Sequence, residues 1–260
     1  MPDPLDMTDN VVIVTGGCRG IGRGIAERFL DAGADAVVCC RHEPESPPHG
    51  GDRDALFVAA DVREPDEIDK VIDVTTNRFG RLDVLVNNAG GSPPADSATA
   101  PPKFSAAIIS LNLVAPLVFA QKANAVMQRQ ADGGVIINIA SVSGMRASPA
   151  TAAYGAAKAG LLNLTQTLAV DYAPKVRVNA VTAGLVRTEQ SHLFYGDEEG
   201  IAAVGATVPL GRMAEPADVA DVCLFLASPL ARYVSGEAIL VHGGGERPAY
   251  IDAAKNTRRS

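Results

Sequence analysis

The sequence lacks tryptophan and is poor in aromatic residues, which make up 5% of its 260 positions. Hydrophobic residues form 47% and charged residues 20%, a composition that excludes disordered and fibrous proteins and is typical of a globular chain. A chain of this length buries roughly three quarters of the surface that it exposes when unfolded. We therefore expect one α/β domain over residues 1–260, with its core at about 10–245, that needs neither a metal nor a disulfide for stability.

Positive charge and targeting signals are also scarce. The 23 Lys and Arg residues face 30 Asp and Glu residues, a net charge of −7, which disfavours non-specific binding to nucleic acid or to an anionic membrane. The first ten residues have neither the basic nor the apolar region of a signal peptide. No apolar run approaches the ~20 residues of a membrane helix. The sequence predicts a cytoplasmic protein without a nucleic-acid or membrane partner.

Cysteine is rare, and its positions exclude the common metal sites. The four cysteines are Cys18, Cys39, Cys40 and Cys223. They form no C-x-x-C pair and no His/Cys cluster with metal-ligand spacing, so we predict no metal site. We interpret all four as buried small hydrophobic residues, a usage that is consistent with a reducing cytoplasm.

Short β-branched runs alternate with longer helical patterns along the chain. The predicted strands are 11–15, 36–40, 56–60, 84–86, 135–139, 176–181 and 239–241. The predicted helices are 21–32, 65–79, 104–130, 151–173, 189–207 and 216–226, and loops rich in Gly and Pro are predicted at 41–53 and 90–102. This alternation predicts a Rossmann-like, doubly wound parallel sheet of about seven strands, with helices on both faces. Ligands of such sheets bind at the carboxyl ends of the strands.

A glycine-rich turn follows the first predicted strand and opens the first helix. Glycines at 16, 20 and 22 have the spacing G-x-x-x-G-x-G, which differs from the G-x-G-x-x-G dinucleotide pattern but serves the same purpose. Glycine lets the backbone approach a pyrophosphate, and the helix N-terminus offers it free N–H groups. The alternative is a tight turn that binds no ligand. The predicted cofactor contacts in this turn are Gly16, Cys18, Arg19, Gly20, Ile21 and Gly22.

The end of the second predicted strand decides between the two nicotinamide cofactors. A carboxylate at this place binds the ribose 2′-hydroxyl of NAD, whereas arginine accommodates the 2′-phosphate of NADP. Here the strand ends in Cys39-Cys40-Arg41-His42 and carries no carboxylate. Arg41 and Arg19 both suit a phosphate because a guanidinium binds it in a bidentate manner. We therefore favour NADP(H) over NAD(H), the alternative being that both arginines are solvated surface residues.

Three further motifs identify a family. Asn87-Asn88-Ala89-Gly90 follows the fourth predicted strand, Ser141 ends the fifth, and Tyr154-Gly155-Ala156-Ala157-Lys158 is a Y-x-x-x-K motif. Together with the glycine-rich turn, these motifs resemble the short-chain dehydrogenase/reductase family over about residues 10–245. Among its members the chain is most similar to enzymes of the 3-oxoacyl-carrier-protein reductase type.

The resemblance implies roles for the matching positions. It implies a catalytic set of Asn112, Ser141, Tyr154 and Lys158. It implies that Tyr154 and Lys158 also contact the nicotinamide cofactor, together with Asp61 and Val62 at the adenine, Asn88, Ala89 and Gly90 beside the adenosine ribose, and Val186 and Thr188 at the carboxamide and phosphates. Two positions depart from the family pattern: Ala183 precedes Gly184 where proline is usual, which leaves that loop freer, and His242 replaces an aspartate after the last strand. We interpret His242 as a structural replacement, the alternative being a pH-sensitive contact.

The spacing of the Y-x-x-x-K motif predicts how these residues act. Tyr154 and Lys158 are four residues apart in a predicted helix and so share one face. A nearby ammonium favours the phenolate and lowers the tyrosine pKa from its usual value of about 10, so that Tyr154 can exchange a proton with a substrate oxygen. Ser141 can donate a hydrogen bond to the substrate carbonyl, and Asn112 can hold a water that links Lys158 to solvent.

These inferences predict an oxidoreductase that moves a hydride between NADP(H) and a carbonyl or secondary alcohol. The substrate is expected to be a small molecule that contacts segments 91–102, 142–151 and 189–207. The Ala-rich helix at 154–173 and the tail after the last strand suggest a homotetramer or homodimer. The alternatives are an NAD-dependent alcohol dehydrogenase of the same fold, a non-catalytic nucleotide-binding protein, and a lyase or epimerase.

Overall fold

The computed structural model describes residues 3–246, 248 and 250. The strands in chain order are β1 (Val11–Thr15), β2 (Asp35–Cys40), β3 (His49–Gly50), β4 (Arg53–Asp54), β5 (Leu56–Ala59), β6 (Val84–Asn87), β7 (Gly134–Ser141), β8 (Val176–Ala183) and β9 (Ala238–Val241). Seven of them form one parallel sheet in the spatial order β5-β2-β1-β6-β7-β8-β9. The predicted fold class and the seven strands are thereby confirmed. The predicted loop 41–53 holds a small antiparallel hairpin of β3 and β4.

The helices follow the predicted order with two differences. They are α1 (Gly20–Asp31), α2 (Pro65–Phe79), α3 (Pro102–Ile109), α4 (Ala115–Met127), α5 (Ala152–Asp171), α6 (His192–Tyr195), α7 (Glu198–Thr207) and α8 (Pro216–Ala227). The predicted helix 104–130 is divided by a π-helical turn at Ser110–Val114. The predicted helical stretch 189–207 is divided into α6 and α7 at Gly196, whose φ of 79° is left-handed.

A separate hydrophobic core lies on each face of the sheet. Side chains along β1 alternate between them: Val12 and Val14 belong to the core beneath α1 and α8, and Ile13 belongs to the core beneath α2 and α4. Because successive residues of a strand face opposite sides, a run of five buried residues is what a central strand requires. Helices therefore cover both faces, as the sequence predicts.

The combined run of α3, the π turn and α4 corrects one expectation. By length and composition alone the segment Pro102–Met127 could cross a membrane, although a third of its most apolar window is buried inside the protein. The prediction that no run is long and apolar enough was therefore wrong. In the fold, Phe119, Ala123 and Met127 are fully or almost fully buried and pack in the core beneath α2 and α4. The apolar character of this run is explained by its place in that core.

The cysteines correct a second expectation. Cys39 and Cys223 are free and buried, as expected, but Cys18 and Cys40 are joined by a disulfide. The cause lies in the sheet register: Thr15 pairs with Cys39, and the Gly16 N–H donates to the Cys39 carbonyl at 2.8 Å. The turn after β1 therefore runs beside the end of β2. The Cα atoms of the pair are 6.4 Å apart, within the range of disulfides, and cysteine usage no longer supports a reducing compartment.

Asp83 fixes the amino-terminal edge of the sheet. One of its carboxylate oxygens accepts hydrogen bonds from the Val11 N–H and from Arg81 Nε, each at 2.8 Å. The other oxygen accepts from Arg81 Nη2 at 2.8 Å. These bonds join the start of β1 to the residues that precede β6. The Asp83 side chain is only 8% exposed, so water has little access to replace them.

We predict that Asp83→Ala lowers the free energy of unfolding by about 2–3 kcal/mol, because it leaves a buried N–H without an acceptor. Asp132→Ala is the matched control, since Asp132 also faces Arg81, at 3.9 Å, but is 86% exposed. Its removal is expected to change stability by less than about 0.5 kcal/mol. Urea denaturation checks both values, and equal effects of the two substitutions would contradict the role of Asp83.

Candidate active site

The strand order reverses between β1 and β6, and this opens a crevice at their carboxyl ends. Thr15 ends β1, and its Oγ1 accepts hydrogen bonds from the N–H groups of Asn88, at 2.9 Å, and Ala89, at 3.0 Å. The Asn88 amide returns two bonds, donating to the carbonyls of Thr15, at 2.9 Å, and Gly16, at 3.2 Å. We call these four bonds the Thr15–Asn88 junction. It joins the glycine-rich turn to the segment after β6.

The glycine-rich turn leaves an open cradle at the start of α1. Gly16 has a φ of 64°, which favours glycine. A Cβ on Gly22 would lie 2.3 Å from Asn88 Nδ2, so this position admits no side chain. The N-cap residue Arg19 makes no side-chain hydrogen bond to the first turn of α1, and the N–H groups of that turn are the donors that a pyrophosphate requires. The turn therefore fits the phosphates of a dinucleotide.

Two arginines lie at the adenosine end of the crevice. Arg19 precedes α1, Arg41 follows β2, and both are exposed. Neither forms an ion pair within the part of the chain that the structure describes. In the crevice, free guanidinium groups of this kind suit a 2′-phosphate.

Asp61, at the predicted adenine contact, is held by an arginine that the sequence analysis overlooked. Arg63 Nε donates to Asp61 Oδ1 at 2.9 Å, and the Arg63 backbone N–H donates to the same oxygen at 3.0 Å. These hydrogen bonds, with smaller contributions from the charges of Arg63 and Arg41, lower the pKa of Asp61. Asp61 is therefore an ionised acceptor in the crevice, whereas its neighbour Val62 is buried in the core.

Tyr154, Lys158 and Ser141 converge at the carboxyl end of β7. Lys158 is buried, and its Nζ donates to the Ile139 carbonyl at 2.7 Å and lies 5.7 Å from the centre of the Tyr154 ring. Ser141 Oγ accepts a hydrogen bond from the Ser143 N–H at 3.2 Å, and the Ser141 hydroxyl is within hydrogen-bond reach of Tyr154. The predicted triad is thus brought together in space.

The protonation states differ from the expectation. Burial raises the pKa of Tyr154, and the Ser141 hydroxyl opposes this shift only in part. Burial lowers the pKa of Lys158 to about 8. The predicted lowering of the Tyr154 pKa is therefore not found, because desolvation is the larger influence and only the Ser141 hydroxyl acts against it. At neutral pH the phenol keeps its proton, which suits a proton donor.

Asn112 lies in the π-helical turn and is fully buried. Its Oδ1 accepts from the Gly91 N–H at 2.9 Å, and its Nδ2 donates to the carbonyls of Gly91, at 3.0 Å, and Ile108, at 2.9 Å. A Cβ on Gly90 would lie 2.6 Å from Asn112 Oδ1 and 3.4 Å from Lys158 Nζ. Asn112 thus fixes the loop after β6 directly beside Lys158. π-helical turns of this kind are frequent at functional sites.

A buried polar chain behind the site was also overlooked by the sequence analysis. Asn87 Nδ2 donates to Asn138 Oδ1 at 3.0 Å, and Asn138 Nδ2 donates to Thr165 Oγ1 at 2.9 Å. All three residues are buried. They connect β6 to β7 and α5, the two elements that carry Ser141, Tyr154 and Lys158. The only signal in the sequence was an asparagine within the apolar run of β7.

The loop after β8 covers the start of α1. The Thr188 side chain lies 3.3 Å from the place where a Cβ of Gly20 would stand, and the Thr188 N–H donates to Ser191 Oγ at 2.9 Å. A Cβ on Gly184 would lie 2.7 Å from the His242 Cβ, so His242 packs against this loop. Val186 forms a parallel bridge with Ala214. The loop is therefore well tied even though Ala183 stands where proline is usual.

Two of the three predicted substrate segments are joined to each other. The Ala95 N–H donates to the Ala150 carbonyl at 2.8 Å, which joins the loop 91–102 to the stretch before α5. Between them is a shallow depression lined in part by Phe104 and Thr151. Its other lining residues are alanines and serines. A depression with this mixture of apolar and hydroxyl groups suits a small organic substrate. In the third segment, 189–207, the Phe194 side chain is 59% exposed.

Comparisons with known proteins agree with this geometry. A family model described as enoyl-(acyl carrier protein) reductase matches residues 16–246. A 3-oxoacyl-[acyl-carrier-protein] reductase of Synechocystis sp. is 35% identical over 92% of this chain and 97% of its own length. The chain belongs to the short-chain dehydrogenase/reductase family. It is an oxidoreductase of the class that acts on alcohols and carbonyls.

Two further proteins similar to this chain are named as sugar dehydrogenases. The L-rhamnose 1-dehydrogenase (NAD(P)(+)) of Azotobacter vinelandii is 35% identical over 92% of this chain and 97% of its own. The ligand-free aldohexose dehydrogenase of Thermoplasma acidophilum matches with a TM-score of 0.85 and 33% identity, covering 92% of this chain and 94% of that one. The chain thus shares its fold and its nicotinamide chemistry with proteins that are named for different substrates.

We predict that Lys158→Met abolishes activity but stabilises the fold at pH 7 by on the order of 1–3 kcal/mol, since it removes a buried ammonium. The gain is expected to shrink as the pH rises from about 8 towards 10.5, because over that range the unfolded wild-type chain binds the extra proton and wild-type stability increases.

Lys122→Met is the control, because Lys122 forms an exposed ion pair with Asp69. It should leave stability within about 1 kcal/mol of the wild type and show no such pH dependence. Thermal denaturation at several pH values checks both variants. A Lys158→Met protein that is less stable than wild type at pH 7 would show that the ammonium is compensated in the fold.

Proposed function

We propose that the protein is an NADP(H)-dependent oxidoreductase that interconverts a carbonyl and a secondary alcohol, with Tyr154 as the acid/base. The observation that carries the proposal is the convergence of Tyr154, Lys158 and Ser141 at the end of β7, beside a loop that Asn112 holds in place through Gly91. A sensor or scaffold protein would need none of these groups. The non-catalytic alternative therefore has no support from the site.

The residues divide into those that bind the cofactor and those that act on the substrate. The bound nicotinamide would supply or accept the hydride. The cradle of the glycine-rich turn would hold the pyrophosphate, Asp61 and Val62 the adenine, Asn88 to Gly90 the ribose, and Val186 and Thr188 the nicotinamide end. Tyr154 holds a proton at its phenolic oxygen and gives it to the substrate oxygen during reduction. Ser141 donates a hydrogen bond to the same oxygen, and Lys158 supplies positive charge near the Tyr154 ring.

The cofactor preference rests on the adenosine end. Arg19 and Arg41 are exposed and unpaired within the described residues, and no carboxylate ends β2. The charge of Arg41 contributes to the lowered pKa of Asp61, but the Asp61 carboxylate is hydrogen-bonded to Arg63. A 2′-phosphate would meet two free guanidinium groups, whereas a 2′-hydroxyl would find no carboxylate at the strand end. The site therefore favours NADP(H).

Arg41→Ala tests the cofactor preference. We expect wild-type protein to bind NADPH at least ~tenfold more tightly than NADH (~1.4 kcal/mol) and Arg41→Ala to erase most of that difference without weakening NADH binding. Nicotinamide fluorescence in a titration gives both dissociation constants. Arg129→Ala, an exposed arginine at the far end of α4, should keep the full preference. NADH binding as tight as NADPH binding would point instead to an NAD-dependent dehydrogenase.

Tyr154→Phe tests the chemistry. Loss of the phenolic oxygen is expected to lower kcat/KM for a carbonyl substrate by roughly 10²–10⁴-fold, while the dissociation constant for NADPH stays within about twofold of wild type. Tyr172→Phe, at the other end of α5, is the control and should keep both values. Steady-state kinetics and the fluorescence titration provide the readouts. A fully active Tyr154→Phe enzyme would leave the proton to another group, as in a lyase or epimerase.

The setting of the enzyme follows from the same considerations. We propose a single domain over residues 1–260, with its core at about 10–245, acting in the cytoplasm on a small-molecule substrate. Nucleic acid, membrane and metal have no part in it. Assembly as a homotetramer or homodimer through α5 is supported by Val170, an apolar side chain of that helix that is 77% exposed. Part of the tail that we expect to share in subunit contacts lies outside the described residues.

A further inference from the structure

The Cys18–Cys40 disulfide lies inside the predicted cofactor crevice. Cys18 belongs to the glycine-rich turn and Cys40 ends β2, so the bond joins the two walls of the adenosine end. The next residue after each cysteine is one of the two free arginines, Arg19 and Arg41. Formation or cleavage of this disulfide therefore affects the two segments that carry Arg19 and Arg41.

The other two cysteines differ from Cys18 and Cys40 in exposure and reactivity. Cys39 and Cys223 are fully buried, and burial raises the pKa of Cys39 to about 12, so these thiols are inert. Cys18 and Cys40 are both partly exposed. Reactive cysteines are found in partly exposed, electropositive surroundings, and the crevice beside two arginines and the start of α1 provides them. Only this pair, among the described cysteines, combines access with a bonding partner.

We propose that Cys18 and Cys40 form a reversible thiol–disulfide switch that controls access of the nicotinamide dinucleotide to its site. The inference rests on the proposed function, because it presumes that the crevice binds NADP(H). The dithiol is the binding-competent form, and the disulfide is the weakly binding form. The modifying agent is a peroxide, and a low-molecular-weight dithiol reverses the reaction.

Formation of the disulfide requires only the two cysteine thiols and one molecule of peroxide. One thiolate attacks a peroxide oxygen, the O–O bond breaks, and a sulfenic acid and one water result once protons are taken up. The second thiol then attacks the sulfenic sulfur, the S–S bond forms and a second water leaves. Two cysteine thiols are thereby oxidised to one disulfide, and one hydrogen peroxide is reduced to two waters.

The disulfide hinders binding for two reasons. It holds the turn and the strand end at a Cα distance of 6.4 Å, which fixes the width of the crevice where the ribose phosphate must enter. It also removes two S–H donors from the walls. The reduced pair lets the two segments separate and restores both donors. By linkage, bound dinucleotide must in turn shift the dithiol–disulfide equilibrium towards the dithiol by the same factor.

The test measures NADPH binding to the full-length protein in both redox states. Protein is reduced with dithiothreitol or oxidised with hydrogen peroxide, the reagent is removed, and nicotinamide fluorescence gives the dissociation constant. Alkylation followed by intact-mass measurement counts the free thiols in each sample. We expect oxidation to remove two free thiols and to weaken NADPH binding by about tenfold or more, and dithiothreitol to restore it. Saturating NADPH should slow the loss of thiols.

Two variants identify the pair responsible. Cys40→Ser cannot form the disulfide, so its dissociation constants before and after peroxide treatment should be equal. Cys39→Ala is the matched control next to it in sequence; it keeps the pair, so its response should equal that of wild type. Both comparisons are ratios within one variant, so a change in basal affinity does not affect them.

Each contrary result is distinct. Oxidised wild-type protein that has lost two thiols but binds NADPH as tightly as before overturns the switch alone. So does a Cys40→Ser protein that remains sensitive to peroxide, or a wild-type pair that resists oxidation. Reduced protein that binds neither NADPH nor NADH overturns the proposed function, and the switch with it.

Discussion

The Thr15–Asn88 junction is the constraint on which the rest of the site depends. Parallel strands leave their carboxyl ends without a shared turn, so β1 and β6 could diverge where the crevice opens. Four hydrogen bonds that the Thr15 and Asn88 side chains make to each other's segments prevent this. The glycine-rich turn, the start of α1 and the loop that Asn112 holds are all attached to this junction. The positions of the glycine-rich turn and of the loop after β6 are therefore set by the same few bonds.

Electrostatics in the site works against stability. Lys158 is buried with only a carbonyl oxygen as its hydrogen-bond acceptor, and no carboxylate in the described part of the chain forms an ion pair with it. A buried ammonium without a counter-charge costs free energy, and the depressed pKa expresses that cost. The large apolar cores on the two faces of the sheet supply the stability that offsets it. Lys158 is therefore a charge that the fold tolerates rather than one that stabilises it.

Much of this arrangement could be predicted from the sequence, because periodicity and glycine spacing are local signals. The run Val11 to Thr15 predicts a buried strand, and its position before the glycines predicts the crevice. What could not be predicted depends on contacts between distant segments. The π turn at Asn112, the Cys18–Cys40 bond and the Asn138 chain each join residues far apart in sequence or depart from a regular period. The raised Tyr154 pKa could not be predicted either, since the depth of burial is a property of the packed structure.

The division of labour between helix and loop has a consequence for how the protein can change. Tyr154 and Lys158 are carried by α5, whose body is packed against the sheet. The predicted substrate segments lie at the surface and include exposed side chains such as Met145 and Phe194. Substitutions at those exposed positions disturb little of the core and leave Tyr154 and Lys158 in place. The surface segments can therefore vary in sequence while the helix that carries Tyr154 and Lys158 is inherited unaltered.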